Sequence, residues 1–301
     1  MPLGIQPTVD YVFKRLFGDP ANADLLIHLL NAVLQPSVPI TEVTIENPLL
    51  EKEFDEDKLA VLDIRACDVD RHWFNIEMQT TVPKGLSERL VYYTSCLYVE
   101  QMHEGMKYAD LLPTISICFL SKSLFPAATP AHLRFALADL EHRISLTDRL
   151  QIHTIELAKY NQSKEQLPAA ENLEKWTYFL KHAAALEVSE LQQLLPEPPY
   201  RKATRIIEMI SQSPEQRRLY DARLRAQRDR FSEVEGAKEE ALAEGRTEGF
   251  ALGETVATIR ILQQLLNEPP SDKDELAKME LATLRALAAE LQSRCGRPIQ
   301  G

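Results

Sequence analysis

Glycine, cysteine and long apolar runs are scarce in this 301-residue chain. Ten glycines are too few for a collagen-like or linker-rich architecture. The longest uncharged apolar run, Leu111 to Leu120, is about half the length of a membrane-spanning helix. The first residues, Met-Pro-Leu-Gly-Ile-Gln, lack a basic start and a long apolar stretch, so they predict no signal peptide. We therefore expect a protein without a membrane partner.

The four cysteines are scattered, and no two of them form a Cys-x-x-Cys pair. This excludes a disulfide framework and a zinc ribbon, and it favours the reducing cytoplasm. The sequence also lacks a Walker A loop and a Gly-x-Gly-x-x-Gly motif, so no nucleotide cofactor is implied. A net charge of −11 argues against non-specific coating of nucleic acid, but it is compatible with an enzyme that contacts nucleic acid locally.

The first half of the chain mixes helical and strand patterns. The periodicity predicts a helix over 24–34, strands over 40–45, 59–67 and 73–79, a helix over 87–104, and strands over 114–120, 133–138 and 151–157. Prolines end the first helix. The order helix, three strands, helix, strand predicts a layered α/β or α+β domain.

The second half of the chain is helical in pattern, over 172–185 and then in a tail from about 202 to 292. Within the tail, Gly245, Gly249 and Gly253 recur every four residues. Such a stripe either forms a close-packing face for a homo-oligomer or marks a loosely folded charged helix, since each glycine weakens a helix. A final helix is predicted over 275–291.

Six arginines lie within a short stretch at the start of the tail. They are Arg217, Arg218, Arg223, Arg225, Arg228 and Arg230. A run of this kind is either the solvated face of a helix or a patch that contacts DNA phosphates.

A predicted hairpin carries two carboxylates. Its strands alternate with period 2, so that residues such as Ile64 and Ile76 share a buried face. If the turn centres on Asp70, paired residue numbers sum to 140, and Asp63 lies opposite Glu77. Two carboxylates opposed across a ladder repel each other. Either a divalent cation such as Mg²⁺ lies between them, or both are solvated acids on the wet face of the hairpin.

Several motifs, in order along the chain, resemble one protein family. Residues 10–18 read Asp-Tyr-Val-Phe-Lys-Arg-Leu-Phe-Gly, 75–79 read Asn-Ile-Glu-Met-Gln, 89–93 read Arg-Leu-Val-Tyr-Tyr, and 153–160 read His-Thr-Ile-Glu-Leu-Ala-Lys-Tyr. Together with Trp176-Thr-Tyr-Phe-Leu180 and the Glu-Gly-containing tail, these resemble the recombination-promoting nuclease (Rpn) family, transposases of the PD-(D/E)XK nuclease superfamily.

The resemblance implies a restriction-endonuclease-like α/β/α core with a helical C-terminal region. We expect a nuclease-like domain over 1–185 and a helical tail over 186–301. It further implies a Mg²⁺-dependent DNA endonuclease with a part in recombination or mobile-element biology. Asp63 and Glu77 would bind the cation, and Gln79 would complete the catalytic group. The alternative is a catalytically inactive protein of the same fold that assembles through its helical tail.

Gln79 departs from the superfamily pattern, which usually has a lysine at this place. An amide can orient water, but it supplies no positive charge. Lys58, Lys84 and Arg89 are the cations that we considered as a replacement. Asp10 either adds an outer-sphere carboxylate or caps the first helix.

Replacing the six arginines by glutamine tests the phosphate-contact interpretation. We expect weaker DNA binding and a flatter salt dependence, because each lost phosphate contact removes released counterions. Binding constants at several salt concentrations measure the slope. An unchanged slope would assign these arginines to a solvated or protein-facing surface.

Overall fold

The computed structural model describes residues 2–46 and 64–295. The chain divides into two compact units, one up to Asp229 and one from Arg230 onward. The boundary expected between a nuclease-like domain ending at residue 185 and a tail beginning at residue 186 stays a prediction. In the structure, the helix over Pro198–Gln212 packs within the first unit, where Tyr200 and Ile207 are fully buried.

The first unit contains a six-stranded sheet and several helices. Its strands are β1 (Val43–Ile45), β2 (Ile64–Asp68), β3 (Trp73–Gln79), β4 (Thr114–Leu120), β5 (His132–Ala138) and β6 (Ser145–Glu156). The helices that begin in it are α1 (Asp10–Phe17), α2 (Ala23–Leu34), α3 (Leu86–Glu100), α4 (Asn172–His182), α5 (Val188–Leu194), α6 (Pro198–Gln212) and α7 (Pro214–Leu265).

The sheet is mixed, with the strand order β1-β2-β3-β4-β6-β5. The β3–β4 and β4–β6 pairs are parallel, whereas the other three pairs are antiparallel. The predicted order helix, three strands, helix, strand is confirmed, and α3 is the crossover between the parallel strands β3 and β4. β1 is shorter than predicted, and β6 begins six residues earlier, because residues 145–150 extend the β5–β6 hairpin.

Side chains that alternate along the strands divide between two apolar layers. Phe74 and Ile76 of β3 belong to a large core that also contains Phe13 and Phe17 of α1. The other face of the sheet packs on α3, where Leu86 and Leu90 meet Cys118, Leu120 and Ile152. The sheet therefore lies between two helical layers, which confirms the expected α/β/α core.

Trp176 of α4 is the largest of the fully buried side chains in the main core. Its ring lies 4.6 Å from that of Tyr200 and 5.2 Å from that of Phe17, measured between centroids. Its Nε1–H donates to Nδ1 of His28 over 2.9 Å, and burial lowers the pKa of His28. A neutral imidazole is the form that accepts this bond, so His28 is a core residue.

The second unit contains most of α7, then α8 (Lys273–Leu276) and α9 (Leu281–Cys295). Its own small core includes Val256, Ile259, Leu276, Leu284 and Leu291. The tail is helical as predicted, although its last helix is divided in two. Among the described helices, none is long and apolar enough to cross a membrane.

The glycine stripe lies in the part of α7 that belongs to the second unit. A Cβ added at Gly245, Gly249 or Gly253 would meet no other atom of the described chain within 4 Å. The stripe therefore has no packing partner there, and self-association through it stays a prediction.

Two histidines on neighbouring strands form a pair, in which His153 is buried and His132 is half-buried. Nε2 of His132 lies 2.8 Å from Nδ1 of His153, and Nε2 of His153 is buried with no partner among the described residues. Burial, together with His132 and Arg134, lowers the pKa of His153 to about 4. Burial also lowers the pKa of His132. The pair is therefore neutral at pH 7.

This pair predicts a loss of stability in acid. Above the ordinary histidine pKa of 6.5, His153 is neutral in both the folded and the unfolded chain; below it, the unfolded chain takes up the proton first. The free energy of unfolding should fall between about pH 6.5 and pH 4, by up to about 3 kcal/mol for this group. Denaturant unfolding at several pH values measures it. His153→Gln should flatten the profile in this range, and parallel profiles for variant and wild type would contradict the assignment.

Candidate active site

The β2–β3 hairpin follows the register that the turn chemistry predicts. The pairs are Ile64–Ile76, Arg65–Asn75, Ala66–Phe74 and Cys67–Trp73. The turn is closed by the N–H of Arg71, which donates to the carbonyl of Asp68, and Arg71 has a positive φ of 62°. Asp63 lies outside the described residues, so its pairing with Glu77 stays a prediction.

The polar face of β3 is buried rather than solvated. Asn75 is 0% exposed and Glu77 is 4% exposed. The wet-face interpretation is therefore wrong for Glu77, because α3 covers this side of the sheet. Amphipathic alternation could not show this, since a polar face looks the same in the sequence whether water or a helix covers it.

Both oxygens of the Glu77 carboxylate have nitrogen neighbours. Oε1 accepts from Nδ2 of Asn75 at 2.9 Å. Oε2 accepts from Nε2 of Gln79 at 3.1 Å, and the Arg89 guanidinium lies 3.5 Å from the same oxygen. A buried carboxylate is tolerated when it is paired and hydrogen-bonded in this way.

Behind Asn75, a chain of hydrogen bonds crosses from β3 through β4 to α3. Nδ2 of Asn75 lies 3.4 Å from Oγ of Ser116, which lies 2.8 Å from Oγ1 of Thr94. The Thr94 hydroxyl lies 2.6 Å from the Leu90 carbonyl and has a single proton to donate there. Ser116 must then donate to Thr94 and accept from Asn75, so both amide protons of Asn75 are used and its NH₂ group faces Glu77.

Arg89 reaches Glu77 because the first turn of α3 is fixed against the sheet. Gly85 precedes the helix with φ of +81°, a conformation that favours glycine. The N–H of Arg89 donates to the Gly85 carbonyl over 3.0 Å, and the flanking Leu86 and Leu90 are buried. The backbone at Arg89 is thus held, while its side chain remains 38% exposed.

Neither of the other two candidate cations has a described contact with Glu77. Lys58 is outside the described residues, and Lys84 is exposed. Asp10 is the first residue of α1, whose N-cap is Val9, so the expected capping role is not formed; its Oδ1 accepts from the N–H of the adjacent Tyr11 over 2.7 Å. Its helix, α1, packs on the sheet face opposite to Glu77, as the contact between Phe13 and Phe119 indicates.

The described arginines of the run lie on α7. Arg218, Arg225 and Arg228 are exposed, as a phosphate-contacting surface requires. Arg217 lies 3.3 Å from Asp221, and Arg223 lies 3.8 Å from Asp10. The side chain of Arg230 is not among those that the structure describes. Their role in DNA binding stays a prediction.

A second group with metal-ligand chemistry lies at the hairpin turn. Asp68, Asp70 and His72 can bring one ligand atom each within 4.8 Å of the others. The turn lies about 15 Å along β3 from Glu77, by the rise of a strand. Asp68 already accepts the backbone N–H of His72 and contacts its Nδ1, both at 2.8 Å. The group therefore closes the turn. Asp68 and His72 also line a cavity of about 970 Å³ there.

Comparison with known proteins agrees with the fold and the site motifs. A family model described as PD-(D/E)XK nuclease family transposase matches residues 7–237. The chain belongs to this family, which confirms the resemblance drawn from the motifs. A search of the curated proteins and a search of the solved structures gave no match.

Some site residues had only a faint signal in the sequence. Ser116 interrupts the apolar strand β4, and a polar residue in a buried strand is the one sequence signal of its role. Thr94 sits in a helix with no marker of its role. Asp68 and Asp70 belong to the predicted turn of residues 68–71, and together with His72 their alternate spacing also suits metal ligands.

Asn75→Ala tests how Glu77 is held. The variant leaves Oε1 of Glu77 and Oγ of Ser116 without their donor in a buried place, so the free energy of unfolding should fall by about 1–3 kcal/mol. Gln79→Ala is the control, because water can replace a half-buried amide, and it should cost less than about 1 kcal/mol. Urea unfolding at pH 7 measures both. Equal losses would contradict a special role for Asn75.

Proposed function

We propose that this chain is a Mg²⁺-dependent DNA endonuclease that hydrolyses phosphodiester bonds in DNA recombination or mobile-element biology. The observation that carries the proposal is the buried Glu77 carboxylate, whose Oε2 is shared by Gln79 and Arg89. Membership of the PD-(D/E)XK nuclease family transposases supports the same reaction class.

The residues around Glu77 fit a hard divalent cation. Mg²⁺ prefers oxygen ligands and commonly takes one or two carboxylates, with water and substrate phosphate completing the shell. Glu77 offers one carboxylate. The hairpin register supports Asp63 as the second, because continuing the register by one residue beyond the pair Ile64–Ile76 would place residue 63 opposite residue 77. A cation held there would supply charge neutralisation at the phosphate and activation of water.

Gln79 has a distinct task in this proposal. Its Nε2 donates to Glu77, which leaves its carbonyl Oε1 as an acceptor. That oxygen orients the attacking water by accepting a hydrogen bond from it. The water oxygen forms a bond to phosphorus, and the bond from phosphorus to the leaving sugar oxygen breaks. The leaving oxygen takes up a proton, and the water gives its proton to solvent.

The helical tail contributes binding in this proposal. The exposed arginines of α7 contact DNA phosphates, and the glycine stripe supports a homo-oligomer. None of the four cysteines forms a disulfide in the described part of the chain, which suits action in the cytoplasm.

Plasmid cleavage with and without Mg²⁺ tests the function. Asp63→Ala and Glu77→Gln should each lower the cleavage rate by at least about 100-fold, because each removes a carboxylate that holds the cation. Mg²⁺ should also raise the Tm of the wild type, since it binds the folded state.

Glu88→Gln is a matched control, because Glu88 is an exposed carboxylate on the same helix as Arg89. It should cut DNA at the wild-type rate. Unchanged Tm values for the site variants would show that the fold is intact. Cleavage by Asp63→Ala at the wild-type rate would overturn the assignment of the site, and an inactive wild type would favour the non-catalytic alternative.

A further inference from the structure

The positive charge at the site comes from a helix rather than from β3. We propose that Arg89 takes the part that a lysine at position 79 would play, and that its guanidinium contacts the phosphate that is cleaved. This inference rests on the proposed nuclease function and assigns a further catalytic residue to the same site.

Arg89 and Gln79 occupy the same neighbourhood. The guanidinium of Arg89 and the amide of Gln79 both lie on Oε2 of Glu77, at 3.5 Å and 3.1 Å. A lysine at position 79 would bring its ammonium from the strand towards this region. The structure instead brings a cation to it from the first turn of α3.

The contact between Arg89 and Glu77 is long enough that Arg89 can also bind a phosphate. Charge-assisted N–H···O bonds are usually about 2.7–2.9 Å long, whereas this one is 3.5 Å. Nε of Arg89 is buried and has no partner among the described residues, so within the described part of the chain this nitrogen does not anchor the guanidinium. With 38% of the side chain exposed, an incoming phosphate can reach the remaining donors.

Arginine suits this task chemically. Its planar guanidinium stays charged and matches the paired oxygens of a phosphate. A positive charge beside the phosphate stabilises the negative charge that grows on its oxygens as the water oxygen bonds to phosphorus and the sugar oxygen leaves. Arg89 remains protonated throughout, so it adds no proton transfer to the step.

A suppressor experiment tests the assignment. Arg89→Ala should lower the cleavage rate by about 100-fold, and Arg89→Lys should retain part of it. Adding Gln79→Lys to Arg89→Ala should recover at least about 10-fold, because the charge returns from the strand side. A structural role for Arg89 would not be rescued from position 79.

Metal-free DNA binding gives a second measurement that needs no cleavage. Arg89→Ala should reduce the slope of log K against log salt by about 0.9, the value for one lost phosphate contact. Gln79→Lys should restore the slope. The control is Arg205→Ala, an exposed arginine on α6, which should leave both rate and slope unchanged.

The two measurements separate the inference from the proposed function. Wild-type cleavage with an unaffected rate in Arg89→Ala would overturn the inference and leave the nuclease function standing. An inactive wild type would overturn the function, and the salt slope would then decide whether Arg89 contacts phosphate. An unchanged slope in Arg89→Ala, or no recovery by Gln79→Lys in either measurement, would overturn the inference.

Discussion

A carboxylate buried in the middle of the sheet sets the requirements for its surroundings. Glu77 is nearly inaccessible to water, and an unpaired charge in such a place costs several kcal/mol. Asn75 satisfies one oxygen, and Gln79 with Arg89 satisfies the other. α3 contributes to this network, because Arg89 and Thr94 both come from that helix.

The two faces of β3 differ in polarity: one is apolar and the other is polar. Phe74, Ile76 and Met78 join the main core, which holds the strand in place. The opposite face carries Asn75 and Glu77. Asn75 donates to Glu77 and to Ser116 of β4, and Glu77 also contacts Gln79 of the same strand and Arg89 of α3. The main core therefore lies on one side of the strand and the candidate site on the other, so the site can be polar without weakening the main core.

The hairpin register, the α/β/α class and the family could be predicted from the sequence. The alternation of Ile64, Ile76 and their neighbours fixes which side of each strand is apolar, and the turn residues Asp68–Arg71 fix the pairing. The order of helices and strands along the chain then predicts the layered α/β/α arrangement. The burial of Glu77 could not be predicted, because it depends on where α3 packs on the sheet. α3 lies within the long crossover between β3 and β4, so local sequence patterns do not fix its position.

By itself, the sequence determined the secondary structure of the hairpin, the absence of lysine at position 79 and the set of cations that could replace it. Local patterns decide these features, since each depends on residues close in the chain. Only the tertiary structure decided that Arg89, rather than Lys84, contacts Glu77, and that Ser116 and Thr94 support Asn75. Those contacts join residues 12 to 41 positions apart, and packing of α3 across the parallel strands brings them together.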